Sequence, residues 1–281
     1  MAPENPATGL LFDVRCGGDK LSPPEFRQRA TVAMANNLNE VPEAEHRRSC
    51  RAGVAVVAIF ILAGCAALAV DLPIARFLRG GGCPDDVKRL CDLTEVFGHG
   101  SGIGLLALAI FVLDPPRRRM LGCVVCASLG SGLAANGMKM LVARARPNYF
   151  DLQGSLSDTF VAWLPWLKAG SEGQSFPSGH AATAVGLAVV LAWLYPRGAK
   201  LFAIFAAMAA IDRLLKGHHF LSDVLWGGAI GYAIGNASVA CARAIGLSPH
   251  THLENDPRPA LGLVSHDVAE PGSWTKTRRA A

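Results

Sequence analysis

Residues 52–70 read AGVAVVAIFILAGCAALAV, nineteen consecutive positions without a charge. As a helix rising 1.5 Å per residue they span about 28 Å, close to the ~30 Å hydrocarbon core of a bilayer. A helix on the surface of a soluble bundle keeps a polar stripe, and this stretch has none. It therefore belongs in lipid. Working outward, five more apolar blocks follow: Val96–Leu113, Met120–Val142 (interrupted by Lys139), Gly179–Tyr195, Gly198–Leu215 (containing Asp212 and Arg213) and Val224–Leu247. Each approaches the roughly 17–25 residues that a crossing needs. The expected architecture is all-α, a polytopic membrane protein with six transmembrane helices over residues 52–247. A polar N-terminal segment (1–51) and a polar tail (248–281) with Pro249, Pro257, Pro259 and Pro271 flank it. The first 51 residues hold no apolar core near the start, so they do not read as a signal peptide.

Composition agrees. Hydrophobic residues make up 51% of the 281 and charged residues 17%, and the mean hydropathy is +0.30. An average soluble domain carries about 25% charged residues. A disordered chain and a nucleic-acid binder built on charge are both excluded, since the net charge is only +5. Eight cysteines are too few for a disulfide scaffold. Cys83 and Cys91 share one loop and could pair in an oxidising compartment. Cys123 and Cys126 have a redox-like spacing but lie inside an apolar block, where packing is the simpler role.

Six crossings place both termini on one side. On that side lie Arg47, Arg48 and Arg51, then Arg117, Arg118 and Arg119, then Arg197 and Lys200, then Arg243. The other side carries Arg76, Arg79, Lys88 and Arg89 among five acidic residues, then Arg144, Arg146 and Lys168, then Lys216. Short basic loops stay in the cytoplasm, which puts the termini there.

The costly polar residues gather opposite. Lys139 and Arg146 lie at the exit of the third block, Ser178, Gly179 and His180 at the entrance of the fourth, Arg213 at the exit of the fifth, and His219 and Asp223 at the entrance of the sixth. Alternating spans bring all of these ends to the non-cytoplasmic face. Ionisable groups at membrane depth cost about 2.5–3.5 kcal/mol on insertion scales and so mark sites. Lys139 and Arg146 are seven residues apart, two helical turns, and share a stripe if the helix runs on to Pro147. His219 and Asp223, four apart, share a helical face, so the carboxylate can hold one imidazole nitrogen and leave the other free to attack. Arg213 precedes His219 by six, with Gly217 supplying a turn. Two guanidinium groups and an ammonium suit an anion with several oxygens, above all phosphate. The amide of Gly179 at a helix start adds a donor. No cluster of carboxylates or His/Cys ligands lies on that face, so neither a metal nor another cofactor is expected.

Lys139-x6-Arg146-Pro147, Pro177-Ser178-Gly179-His180 and Arg213-x5-His219-x3-Asp223 together resemble the three-part signature of the type 2 phosphatidic acid phosphatase superfamily, over about residues 139–223. The six-span layout resembles its membrane-bound branch. The resemblance implies a metal-independent lipid phosphatase. His219 would be the nucleophile forming a phospho-histidine, with Asp223 orienting it and His180 as general acid. Lys139, Arg146, Arg213, Ser178 and the Gly179 amide would hold the phosphoryl oxygens. The substrate would be a lipid phosphate or diphosphate: an isoprenyl diphosphate, phosphatidylglycerol phosphate, phosphatidic acid or lipid A. The location would be a bacterial cytoplasmic membrane with the site facing the periplasm or exterior. The family usually has Ser before the third-motif Arg, and here it is Asp212, a negative charge available to Arg213 or Arg144.

Rival readings are a phosphotransferase using an acceptor alcohol, and a non-catalytic anion transporter, which would not need the His219–Asp223–His180 set. Lys139 alone reads equally as a snorkelling end residue, His218 as a loop residue, His99 as a helix end, and Arg144 either as a contact to a second phosphate or lipid headgroup or as a solvated flank. Phe150, Phe160, Trp163 and Trp166 in the loop 148–176 form either an interfacial aromatic belt or a groove for a lipid tail. Ile74, Phe77, Leu78, Val87 and Leu90 of the first outer loop are candidates for the same surface.

Overall fold

In a computed structural model, the described residues are 43–166, 170 and 172–249. The polar segment before Glu43, Lys168 and the tail after Pro249 lie outside them. The chain order is α1 (Glu43–Ala67), α2 (Asp71–Arg79), α3 (Asp85–Leu93), α4 (Gly100–Leu113), α5 (Leu121–Lys139), β1 (Val142–Arg144), β2 (Phe160–Trp163), α6 (Gly179–Leu194), α7 (Ala199–Leu215) and α8 (Leu221–Ala244). Each of the six apolar blocks thus carries one of the longer helices. The fold is mostly helical rather than all-α. β1 and β2 pair antiparallel, Val142 with Trp163 and Ala143 with Ala162, with a register shift before Arg144 meets Phe160. The expectation missed this hairpin because its β1 half lies within and just beyond the end of the third apolar block.

α6 is the axis. Its sequence, GHAATAVGLAVVLAWL, is apolar all round, the pattern of a helix enclosed on every side. α5, α7 and α8 pack around it, α1 covers α8, and α4 lies against α5. The packing is close because small residues face each other, as between helices in lipid. A Cβ on Gly186 would strike the Ala127 carbonyl and Ser131 of α5, and one on Gly231 would strike the Ala182 carbonyl. Leu187, Val190, Leu191 and Leu194 join Ile103, Ile110, Val124 and Val239 in the main core. The outer surface is apolar too. Val54, Ile59, Leu62, Leu105, Leu108, Leu129, Leu133, Leu201 and Ile204 are exposed. An exterior of this kind suits lipid and not water.

By length and composition two helices reach across a membrane, residues 115–139 and α8, or three if α1 from Arg51 and α2, bent by 71° at a short break, count as one. The remaining blocks hold shorter helices for identifiable reasons. Val96 and Phe97 belong to a 3₁₀ turn (Glu95–Gly98), and α4 starts only after His99, whose ring nitrogen accepts the Ser101 amide at 3.3 Å. α6 ends at Leu194 because Tyr195 precedes Pro196 and is pushed out of the helical region. The first outer loop is not a loop: α2 and α3 occupy it as short helices with exposed Phe77, Val87 and Leu90. Cys83 and Cys91 are unbonded. Cys123 is buried in the core, as packing requires, whereas Cys126 is exposed.

Candidate active site

The ends of α5, α6, α7 and α8 meet in one place, and each candidate residue is delivered by a different local device. Ser178 is the N-cap of α6, with its Oγ accepting the Ala181 amide at 3.4 Å, and its own amide donates to the Asp223 carbonyl at 2.9 Å. That bond ties the starts of α6 and α8 together. With the Ala181 amide taken by Ser178, the Gly179 and His180 amides at the start of α6 have no acceptor within the helix. His180 follows, with its ring 6.0 Å from that of His99. The charged or titratable groups close enough to act on it are Arg213, Glu95, His99 and Lys139.

Lys139 and Arg146 do not share a helical stripe. α5 stops at Lys139, and Arg146 arrives on extended backbone after β1, with its amide on the Glu172 carbonyl at 2.9 Å. Pro147 dictates this, since the residue before a proline avoids the helical region. The charges of both nevertheless act on His219. Among the described residues neither side chain makes a hydrogen bond or ion pair. The Arg146 Nε is buried without any partner. An unsatisfied buried donor is costly, so the Arg146 Nε is suited to an anionic acceptor.

His219 is buried at the turn between α7 and α8. Gly217 makes that turn with φ +64°, and a Cβ there would run into Asn148. The amides of His218 and His219 both point at the Arg213 carbonyl. The His219 Nδ1 lies 2.6 Å from the Ser175 carbonyl. A carbonyl only accepts, so Nδ1 carries the proton and Nε2 keeps its lone pair. Burial pushes this imidazole well below its ordinary pKa. The charges of Lys139 and Arg146 push the same way, and the Ser175 bond opposes them. His219 is therefore neutral at pH 7. Burial and the nearby Arg213 lower His218 as well.

Asp223 does not bond His219 directly, as the i, i+4 spacing suggested; its Oδ2 is 4.0 Å from Nδ1. It reaches the histidine through Ser175 instead. The Ser175 hydroxyl donates to Asp223 Oδ2 at 2.6 Å while its carbonyl holds the imidazole. The same carboxylate caps α8 by accepting the Phe220 amide at 2.8 Å. As a cap, Asp223 is directed at its own backbone, which sets the longer distance.

Arg144 is not a solvated flank; it is fully buried. Its Nη1 donates to Asp223 Oδ1 at 2.6 Å and to Ser222 Oγ at 2.7 Å, its Nη2 to Asp71 Oδ2 at 2.8 Å, and its Nε to Thr159 Oγ1 at 3.2 Å. The guanidinium lies 4.9 Å and 4.3 Å from the ring centroids of Phe160 and Phe220. Asp71, fully buried, also receives the Ser222 amide at 3.0 Å. Arg144, Asp71 and Ser175 were all missed by sequence reasoning. Only an Asp directly after an apolar block, at Asp71, hinted at them.

Arg213 is held quite differently from Arg146. Asp212 accepts its Nε at 3.0 Å and also its Nη2, and Glu95 Oε1 lies 2.5 Å from Nη2. Lys216 adds bonds to Glu95 Oε2 at 2.5 Å, to Asp212 Oδ1 at 3.2 Å and to Asp92. Asp212 therefore serves Arg213, not Arg144. Chiefly through Lys216, Glu95 is lowered to about 2. Beside His219 a cavity of about 80 Å³ opens between Ile74, Leu78, Pro147, Leu214 and Phe220. Trp163, the last residue of β2, and Trp166, just after it, are exposed. Among the described residues no three His, Cys, Asp or Glu side chains converge as metal ligands would.

Residues 121–246 match the PAP2 superfamily model, a stretch that contains every candidate residue except Glu95 and Asp71. A lipid A 1-phosphatase from Rhizobium etli is 27% identical over 239 residues, covering 76% of this chain and 96% of that protein. A second lipid A 1-phosphatase, from Rhizobium johnstonii, is 37% identical over 101 residues, 36% of this chain and 39% of its own length. Among solved structures, a transmembrane PAP2-type phosphatidylglycerolphosphate phosphatase from Bacillus subtilis aligns with a TM-score of 0.46 and 18% identity, over 69% of this chain and 96% of that one. Residues 121–246 thus match the PAP2 superfamily, and the curated relatives that this chain resembles are lipid A 1-phosphatases.

Proposed function

We propose that the protein hydrolyses a phosphomonoester of a membrane lipid through a phospho-histidine. The observation that carries this is the neutral His219 with Nε2 free, set among Lys139 and Arg146, two cations with no bonded partner among the described residues. The transferred phosphoryl oxygens bind Lys139, Arg146, Arg213 and the amides at the start of α6. Nε2 of His219 attacks phosphorus, the bond to the leaving oxygen breaks, and His180 protonates that oxygen as the lipid alcohol departs. His180, now neutral, takes a proton from water, which attacks the phospho-histidine and releases phosphate. Phosphoryl transfer depends on positioning and charge stabilisation, which these fixed donors supply without a metal. Asp223 acts on His219 through Ser175, and the Asp71–Arg144 pair holds Asp223.

The six helices are read as six crossings, with residues 52–247 as the membrane domain. Residues 1–51 and 248–281 lie on the cytoplasmic side, and the site opens to the periplasm or exterior. The Rhizobium lipid A 1-phosphatases make a phosphorylated glycolipid a substrate to try first. The test is phosphate release by detergent-purified protein with EDTA present, over a panel of lipid phosphates. Release that disappears in His219→Ala is expected. Near-normal release from His219→Ala overturns the mechanism. Silence across the panel from folded protein points to transfer onto an acceptor alcohol.

A further inference from the structure

The candidate site is electrically lopsided. At one end Lys139 and Arg146 have no carboxylate bonded to them among the described residues. At the other, Arg213 and Lys216 are bonded to Glu95, Asp212 and Asp92, two cations against three carboxylates. Glu95 bridges the two cations, one oxygen on each. It stands in the turn just before His99, whose ring faces that of His180, and it acts electrostatically on His180. The turn that carries Glu95 packs closely against the start of α6: a Cβ on Gly98 would come within 2.9 Å of the His180 carbonyl.

In-line transfer puts the nucleophile and the leaving group on opposite sides of phosphorus. With His219 as the nucleophile and His180 as the acid, the leaving group lies on the side of His180, where Glu95 stands. The leaving group of a phosphomonoester is an alcohol, uncharged once protonated. The leaving group of a lipid diphosphate is a lipid monophosphate, an anion. We propose that Glu95, backed by Asp212 and Asp92, is a specificity-determining residue that turns away lipid diphosphates and admits phosphomonoesters. This rests on the phosphatase reading above. Glu95 itself takes no part in the chemistry: it sets the charge that the leaving group meets, and it occupies one edge of Arg213 that a second phosphate would otherwise claim. Like charges brought together at a binding site select against the wrong partner.

The experiment compares kcat/KM for a monophosphate and a diphosphate on the same isoprenyl tail, in the wild-type protein, Glu95→Gln, Asp92→Asn and His219→Ala, in mixed micelles. The wild type is expected to prefer the monophosphate. Glu95→Gln keeps the shape but not the charge, and is expected to shrink that preference about tenfold. Asp92→Asn, further out and more exposed, is expected to shrink it about two- to threefold. It serves as the independent variant if Glu95→Gln does not fold. Competition repeats the test without turnover of lipid: pyrophosphate should inhibit Glu95→Gln more strongly, relative to orthophosphate, than it inhibits the wild type. A ratio that neither substitution moves, with His219→Ala inactive, overturns the role of Glu95 and leaves the phosphatase standing. Full activity in His219→Ala overturns the phosphatase reading and this proposal with it.

Discussion

Arg144, the last residue of β1, and Arg146, two residues on, end in opposite situations. Arg144 is sealed between two aromatic rings, with Nε, Nη1 and Nη2 all bonded and two carboxylates beside it. Arg146 keeps a buried Nε with no partner. The first is a fastener: it joins Asp71 at the start of α2 to Asp223 near the start of α8, and so fixes the floor under His219. The second keeps a donor that the fold does not use. A buried arginine whose donors are satisfied inside the protein has nothing to offer a substrate, and one whose donors are left over has little to offer the fold. Residue type and depth do not separate structural from functional cations; the count of satisfied donors does.

Breaking this contrast should have its largest effect at Arg144. Arg144→Met leaves Asp71 and Asp223 buried without their cation. Removing one member of a buried ion pair costs about 3–5 kcal/mol. A large fall in the thermal midpoint and poor recovery of folded protein are expected, and a midpoint within a degree or two of wild type would refute the fastener. Arg146→Ala should do the reverse: an unchanged thermal midpoint, with kcat/KM for phosphate release reduced about 10²–10³-fold, the usual cost of one charge-stabilising donor. Equal losses of stability in the two variants would erase the distinction.

The smallest effect is in pH. His219 is held below its ordinary value of 6.5, so the folded protein declines a proton that the unfolded chain accepts. Stability therefore falls as pH drops below 6.5, and the nucleophile stays unprotonated through that range. The acid limb of kcat/KM should lie below pH 6.5 for a substrate whose own ionisation has been corrected for. A limb at or above 6.5 would mean that the imidazole is not buried beside Lys139 and Arg146 as described.

Much of this was legible beforehand. The charge-free run 52–70 reads as a membrane helix, and each of the six apolar blocks carries a helix, two or three of which are long and apolar enough to cross a membrane. The polar groups at the helix ends were legible because ionisable residues next to apolar runs are conspicuous. Less legible were interruptions inside apolar sequence. Nothing in the hydropathy of Val96–Leu113 marks the cap at His99, and Val142–Arg144 forms a strand because its partner, Phe160–Trp163, lies some twenty residues on. The i, i+4 spacing of His219 and Asp223 suggested a direct bond. But His219 precedes the helix, and Asp223 turns back to cap it.

The sequence by itself determined the helical membrane architecture, the grouping of Lys139, Arg146, Ser178, His180, Arg213, His219 and Asp223 at one set of helix ends, and the phosphate chemistry those residue types suit. Hydrophobic periodicity and motif spacing are local properties, and they survive without coordinates. Only the tertiary structure decided how the charges are shared: that Arg144 belongs to Asp71 and Asp223, that Arg213 and Lys216 belong to Glu95 and Asp212, and that Lys139 and Arg146 are left over. The pairing of a charge depends on which groups from distant parts of the chain come within hydrogen-bond distance, as Glu95 and Arg213 do across 118 positions. Sequence order carries no record of that distance.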